Sequence, residues 1–312
     1  MKQPHQPVLL AEAIAGLAIR TDGHYIDGTL GRAGHSQAIL AQLSEQGILL
    51  AVDRDPQAIA YAQQALNAAQ DHRVILRHAA FSQLPQLVRE LGWYGDVHGV
   101  LLDLGISSPQ VDDSERGFSF MRAGPLDMRM DNTQSMTAAS WLAAASEAQI
   151  SQVIYEYGED RYARKIAKAI VTARTQQPIT RTEQLADIVK QAIPKWEKHK
   201  HPATRTFQAL RIVVNDELGE LQRLLAAVTE MLAIGGRLVV ISFHSLEDRL
   251  VKRFLMRQSS SPSLPMGLPI TKQQMAKPRF RKVGKAIKPG REEVQSNLRA
   301  RSAILRIGEK IT

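Results

Sequence analysis

Apolar and polar residues follow two rhythms along this chain. From residue 8 to residue 110, short apolar runs alternate with longer stretches whose apolar positions recur every three or four residues. The runs have the signature of buried strands, and the stretches that of helices lying on a sheet. The pattern predicts a helix over 8–20, a strand over His24–Asp27, a helix over His35–Gln46 and a strand over Gly47–Asp53. An alanine-rich helix over Pro56–Gln70, with proline in its first turn, comes next, then a strand over Arg73–Ala79, a helix over Ser82–Leu91 and a strand over Gly99–Leu104. The strands are apolar on both faces, as parallel strands covered by helices must be. This alternation means an α/β fold with a doubly wound parallel sheet.

The rhythm changes after Gln110. Helix follows helix over Thr137–Ala145, Ser146–Tyr157, Arg161–Arg174 and Thr182–Ala192, with Ser146 and Thr182 expected as caps. A glycine turn then feeds a strand over Gly235–Phe243, and a final strand is expected over Ser302–Ile307. The expected organisation is a discontinuous sheet domain over 1–111 and 203–312, with an all-helical domain over 112–202 inserted for substrate recognition. Between Asp248 and Glu292 there is no acid, whereas Lys272, Lys277, Arg279, Arg281, Lys282, Lys285, Lys288 and Arg291 are interleaved with prolines, glycines and Phe280. A mobile basic arm over about 257–291, meeting phosphates, is the expectation.

Composition narrows the chemistry. A net charge of +9 favours a polyanionic partner, nucleic acid ahead of membrane. The absence of cysteine removes disulfides, thiolate metal sites and the thiol addition that methylation at carbon 5 of a pyrimidine commonly uses. A methylated base would then carry its methyl on an atom with its own lone pair. The nine histidines show no ligand spacing, and His199 and His201 lie in a basic segment, so no metal is expected. The N-terminal residues do not resemble a signal peptide, and no apolar run is long enough to span a bilayer; a cytoplasmic address is expected.

The most informative segment is Tyr25–Ser36, in which Asp27 is followed by Gly28, Gly31 and Gly34, with Asp53 one βα unit later. The dinucleotide fingerprint places glycines at the first, third and sixth positions; here they stand at the first, fourth and seventh, so a nicotinamide cofactor fits poorly. S-adenosylmethionine suits better, because it has no pyrophosphate to cradle, an ammonium that needs acceptors and a ribose diol that a carboxylate can hold. The plainer alternative is a tight βα loop. The fourth strand ends in Asp103-Leu-Gly-Ile-Ser-Ser-Pro-Gln110. Its Ser107, Ser108, Pro109 and Gln110 are similar to the motif of enzymes that methylate exocyclic amino groups, although the usual proline-aromatic ending is replaced by Pro109-Gln110. A serine hydroxyl and a carbonyl at proline can accept both amino hydrogens and free the nitrogen lone pair; an ordinary turn is the alternative. Phe243 and His244, at the mouth of the returning strand, could hold a flipped base. Trp141, Trp196 and Tyr155 read as core residues, and His35 either touches the cofactor or caps its helix.

The motifs Asp27–Ser36, Asp53–Pro56, Leu102–Gln110, Arg116–Phe120, Pro125–Met130, His201–Arg211 and Ser242–Arg249, with His5–Leu10, resemble the RsmH (MraW) family over essentially the whole chain. The resemblance implies a class I S-adenosylmethionine-dependent methyltransferase fold, acting on the exocyclic N4 of a cytidine in the decoding region of 16S ribosomal RNA within the small ribosomal subunit. It implies cofactor contacts at Ala33, Gly34, His35, Asp53, Phe81, Asp103 and Gln110: amides of 33–35 near the methionine carboxylate, Asp53 on the ribose, Phe81 against adenine, Asp103 and Gln110 beside the methionine portion. Catalytic roles fall to Asp103, Ser107, Ser108 and Pro109, and substrate contacts to Arg205, Phe243 and His244, with Phe243 or Phe118 stacking on the base. A homodimer is compatible with this reading. Ala33 and Leu298 depart from the family's common glycine and proline. Two rival readings are an amino-group methyltransferase acting on DNA, and a ribosome-assembly protein that retains the fold without the activity.

Overall fold

The computed structural model describes residues 7–195, 201–260 and 277–312. Among these, seven strands form one sheet in the order β3-β2-β1-β4-β5-β7-β6. In chain order the elements are α1 (Leu10–Leu17), β1 (His24–Asp27), α2 (Gly34–Leu40), β2 (Ile48–Asp53), α3 (Pro56–Ala65), β3 (Val74–His78), α4 (Leu84–Glu90) and β4 (Val97–Asp103). The helices α5 (Ser108–Asp112), α6 (Ala138–Ala144), α7 (Glu147–Gly158), α8 (Ala163–Gln176), α9 (Thr182–Ala192), α10 (Thr204–Asn215) and α11 (Glu217–Met231) follow. The chain closes with β5 (Leu232–Ser242), α12 (Ser245–Gln258), β6 (Phe280–Lys282), α13 (Arg291–Ser296) and β7 (Ile304–Lys310).

The first five strands pair in parallel, and β7 runs antiparallel beside β5. Successive residues of each central strand enter opposite cores. Leu49, Ala51, Leu101, Val239 and Ile241 pack under α1 and α2. Leu50, Val52, Val100, Leu102, Leu238 and Val240 pack under α4, α11 and α12. Helices on both faces of a largely parallel sheet with this order are the class I S-adenosylmethionine-dependent methyltransferase fold; the apolar strands predicted the doubly wound sheet, and the family resemblance implied the class. No helix among the described residues is long and apolar enough to cross a membrane.

The chain divides into two compact units, a sheet unit over 1–105 and 219–312 and a helical unit over 106–218. These borders lie inward of 112 at one end and beyond 202 at the other. The reason is α10, whose Phe207, Leu210 and Val214 belong to the same core as Ile150, Ile154, Ile166 and Ile170. Ser146 caps α7 as expected, accepting from the Gln149 amide. Thr182 does not cap α9; Arg181 is the N-cap, while the Thr182 hydroxyl accepts from the Gly124 amide and donates to the Arg122 carbonyl. A tertiary tie has displaced the local cap.

The basic arm needs correction over its described part. Phe280 is buried, and β6 pairs antiparallel with β7. Arg279 and Arg281 form ion pairs with Glu230 and Glu309. At its other end α12 runs to Gln258, so the first two residues of the expected arm are helical. One aromatic residue anchors an edge strand inside a cationic run, which charge patterning alone hides. Residues 261–276, with Lys272, and also Trp196 and His199, lie outside the described residues. Tyr155 is 66% exposed rather than core, whereas Trp141 packs against the helical core.

Candidate active site

In the sheet unit the strand ends gather three acids, Asp27 of β1, Asp53 of β2 and Asp103 of β4. Asp27 is buried; it accepts from the Thr29 amide at 3.1 Å and the Ser36 hydroxyl at 2.7 Å. Burial pushes its carboxyl up to about 6 against those two bonds. Asp53 accepts from the Gly31 and Asp55 amides, both at 2.8 Å. Burial raises it likewise to about 6, with the negative charges of Asp55 and Asp27 adding to the rise. Each Asp53 oxygen keeps a further lone pair beyond its amide bond.

Asp103 differs from both. Its carboxyl is raised well above the ordinary range, first by burial and then by the charges of Asp27 and Glu247. Its Oδ1 is buried and makes no hydrogen bond among the described residues, while Oδ2 lies 3.7 Å from Nδ1 of His35. The Asp103 amide donates to the Thr29 hydroxyl at 2.6 Å, which ties β4 to the turn after β1. His35 is buried at the start of α2, with Nε2 3.2 Å from the Val8 carbonyl oxygen. An acid oxygen buried without a partner costs free energy until a hydrogen-bond donor or a cation meets it.

The glycines have packing explanations of their own. A Cβ on Gly28 would meet the Leu102 side chain at 2.6 Å, Gly31 has φ of 50°, and a Cβ on Gly34 would run into Pro7. Their spacing is therefore no ligand signature by itself, and the acids carry the argument. Ala33, fully buried, has φ of 59°, a left-handed conformation that favours glycine. Its departure from the family pattern thus introduces backbone strain, beyond the crowding of one methyl.

Phe81 opens a short 3-10 turn after β3 and is partly buried against the core. Phe243 is half-buried and faces Gly105, where a Cβ would lie 3.5 Å from its ring. His244 precedes α12; its Nε2 lies 3.1 Å from Glu247 Oε1, and its Nδ1 has no hydrogen-bond partner among the described residues.

The helical unit holds the remaining candidates. Ser107, Ser108 and Pro109 open α5, and the Ser107 amide donates to Gln110 Oε1 at 2.9 Å. Gln110 is buried, so its carboxamide holds the turn together. Arg205 donates to the Glu159 carbonyl. Phe118 is buried beneath Arg116 in the helical core and is unavailable for stacking on a base. Leu298 is 76% exposed, so its departure affects only a surface turn.

One grouping escaped sequence reading. His24, Asp96 and His98 come together where β1 and β4 begin, at the end of the sheet opposite the acids. His24 Nδ1 bonds Asp96 at 3.1 Å, and His98 Nδ1 accepts the His24 amide at 3.2 Å. These bonds occupy one nitrogen of each ring. His24 is far in the chain from Asp96 and His98, and the β1–β4 register makes them neighbours.

Three solved structures illustrate what the chain is similar to. An rRNA methylase from Streptococcus thermophilus is 13% identical, with a TM-score of 0.41, 99% of this chain and 100% of that one being covered. An S-adenosylmethionine-dependent O-methyltransferase from Thermotoga maritima is 10% identical, with a TM-score of 0.40 and coverage of 100% and 69%. An S-adenosylmethionine-dependent methyltransferase from Aquifex aeolicus is 7% identical, with a TM-score of 0.39 and coverage of 97% and 90%. Likenesses this distant carry no argument about activity. The model of the MraW methylase family, in contrast, matches residues 2–311, nearly the whole chain, and the protein belongs to that family of methyltransferases.

Proposed function

We propose that the protein methylates the exocyclic N4 of a cytidine in the decoding region of 16S ribosomal RNA, with S-adenosylmethionine as donor. The observation that carries the reading is the buried, unpartnered Oδ1 of Asp103 at the end of β4. A donor with an ammonium group fits such an oxygen, since a cation both satisfies the acceptor and favours the ionised carboxylate. Asp53 retains acceptor capacity for a ribose diol, Phe81 offers an apolar wall for adenine, and the amides of Gly34 and His35 in the first turn of α2 suit a carboxylate, the Ala33 amide being taken by the Leu30 carbonyl at 2.7 Å. S-adenosylmethionine supplies a methyl on a sulfonium, which makes a strong base unnecessary.

Other tasks belong to the chain's own residues. Ser107 and the carbonyls around Pro109, four to six residues beyond Asp103 in sequence, accept the two amino hydrogens of cytosine. That acceptance draws the nitrogen out of conjugation and exposes its lone pair. Orientation of the amino group supplies most of the acceleration. Phe243 is the stacking candidate that remains after Phe118 is assigned to the core. The net charge of +9 suits an RNA partner, and the ribosomal RNA assignment rests on the family.

The test is transfer of labelled methyl to small ribosomal subunits from cells lacking this protein, followed by nucleoside mass spectrometry. The expected product is N4-methylcytidine. A methyl on another atom, or transfer to matched DNA but not to RNA, overturns the assignment.

A further inference from the structure

The helix α8 carries a stripe that the chemistry above does not use. Arg164, Lys165 and Lys168 share one face of α8, and Arg161 stands in the turn just before its first residue, Ala163. All four residues are exposed, while Ala163, Ile166, Ala167 and Ile170 turn into the helical core. The helix Ala163–Gln176 contains no aspartate or glutamate. No carboxylate among the described residues forms an ion pair with any of the four. Other arginines of this unit are paired, Arg129 with Asp127 at 2.6 Å and Arg211 with Glu217 at 2.7 Å.

The stripe works against its own helix. Arg164 and Lys168, both within it, are like charges four residues apart. Arg164 and Lys165 also stand in the first turn, where cations oppose the helix dipole. A merely solvated face mixes both signs and relieves such repulsion; this one does not. Arg161 is further arranged by Tyr162, whose hydroxyl accepts from its Nη2 at 2.9 Å and over whose ring its guanidinium lies at 4.8 Å. Four exposed, unpaired cations in a row match the spaced negative charges of a nucleic-acid backbone.

We propose that this face of α8 docks the phosphate backbone of the RNA substrate and sets affinity without taking part in methyl transfer. The inference rests on the RNA reading given above. It assigns the helical unit a contact that is electrostatic and independent of sequence, and it makes substrate affinity dependent on salt.

The test uses the full chain with R161Q, R164Q, K165Q and K168Q combined. Methyl transfer to small ribosomal subunits is measured across a potassium chloride series. KM for RNA is expected to rise roughly tenfold or more, and the slope of log affinity against log salt to fall by roughly 3, four contacts at about 0.7 each. The turnover at saturating RNA and the affinity for S-adenosylmethionine should not change. The melting temperature should rise, because repulsion has been removed. The double variant R77Q/R89Q, exposed on the sheet unit, controls for net charge against R164Q/K165Q and should leave KM unaltered. An unchanged KM and salt slope in the quadruple variant, with the wild type active on RNA, overturns the docking face alone. A wild type inactive on RNA overturns the function on which the proposal rests.

Discussion

The two units treat buried polar groups in opposite ways. The helical unit satisfies them. Asn215 accepts from the Met130 amide at 2.7 Å and donates to the carbonyls of Met128 at 2.7 Å and Arg211 at 2.9 Å. Arg116 donates to the carbonyls of Arg129 and Met130, and Arg174 to those of Leu142 and Ala145. The Thr206 hydroxyl is the exception among its described residues. The sheet unit instead leaves Asp103 Oδ1 and His244 Nδ1 without hydrogen bonds among the described residues at the strand ends. The difference separates polar groups that hold a fold from polar groups reserved for something else. A network that is complete contributes stability, while an incomplete one costs stability until a ligand completes it.

The contrast is sharpest at Asp103. Asp103→Ala is expected to lower donor affinity by roughly a hundredfold or more, the usual cost of removing one member of a buried charged pair. Its melting temperature should equal or exceed that of the wild type, because the uncompensated acid is gone. Titration calorimetry and thermal melts measure the two; a large loss of stability would mean that Asp103 is structural. Asn215→Ala should do the reverse. It leaves two carbonyls and an amide short of partners, for a loss of about 2–4 kcal/mol in urea unfolding with donor affinity preserved.

Acidity gives a smaller and graded probe. Asp27 and Asp53 titrate near 6, above the ordinary value of 3.8, and Asp103 is raised as well. A raised carboxyl stabilises the free protein while it stays protonated, below about 4, and that contribution is lost as pH climbs through about 6. A cationic donor has the opposite preference, since it favours the ionised acids. Donor affinity should therefore rise with pH through about 6, by up to about tenfold per unit, with release of protons on binding. Calorimetry at pH 6 in buffers of different ionisation enthalpy measures that release, and its absence would detach the acids from the donor.

Most of the fold was legible because parallel strands buried on both faces are apolar throughout, as in Ile48-Leu-Leu-Ala-Val-Asp53. The three-residue β6 was not, since one buried phenylalanine among cations leaves no periodicity. Thr182 misled for a different reason: its hydroxyl satisfies a distant amide and carbonyl, and local sequence carries no trace of either. The three acids of the site were legible as strand ends. The spare oxygen of Asp103 was not, because whether an acceptor is satisfied depends on every neighbour brought in by folding. The burial of Phe118, one of the two stacking candidates, was hidden for the same reason, since its motif gives its type but not its burial.

The register of the sheet also fixes an order of assembly. Asp103 at the end of β4 lies opposite Ile241 of β5, and the whole helical unit is threaded between these neighbours. A ribosome releases β1 to β4 first, then α5 to α10, and only afterwards the strand that covers the edge of β4. The helical unit can close early on near-neighbour packing such as α7 against α8, whereas β4 pairing must await a distant partner. During synthesis β4 is thus a bare edge able to recruit the wrong strand. Pulsed hydrogen exchange during refolding should find α7 and α8 protected before β5. The sheet unit, whose strand ends carry the three acids, is therefore the last to be finished, closed by the antiparallel pairing of β5 with β7.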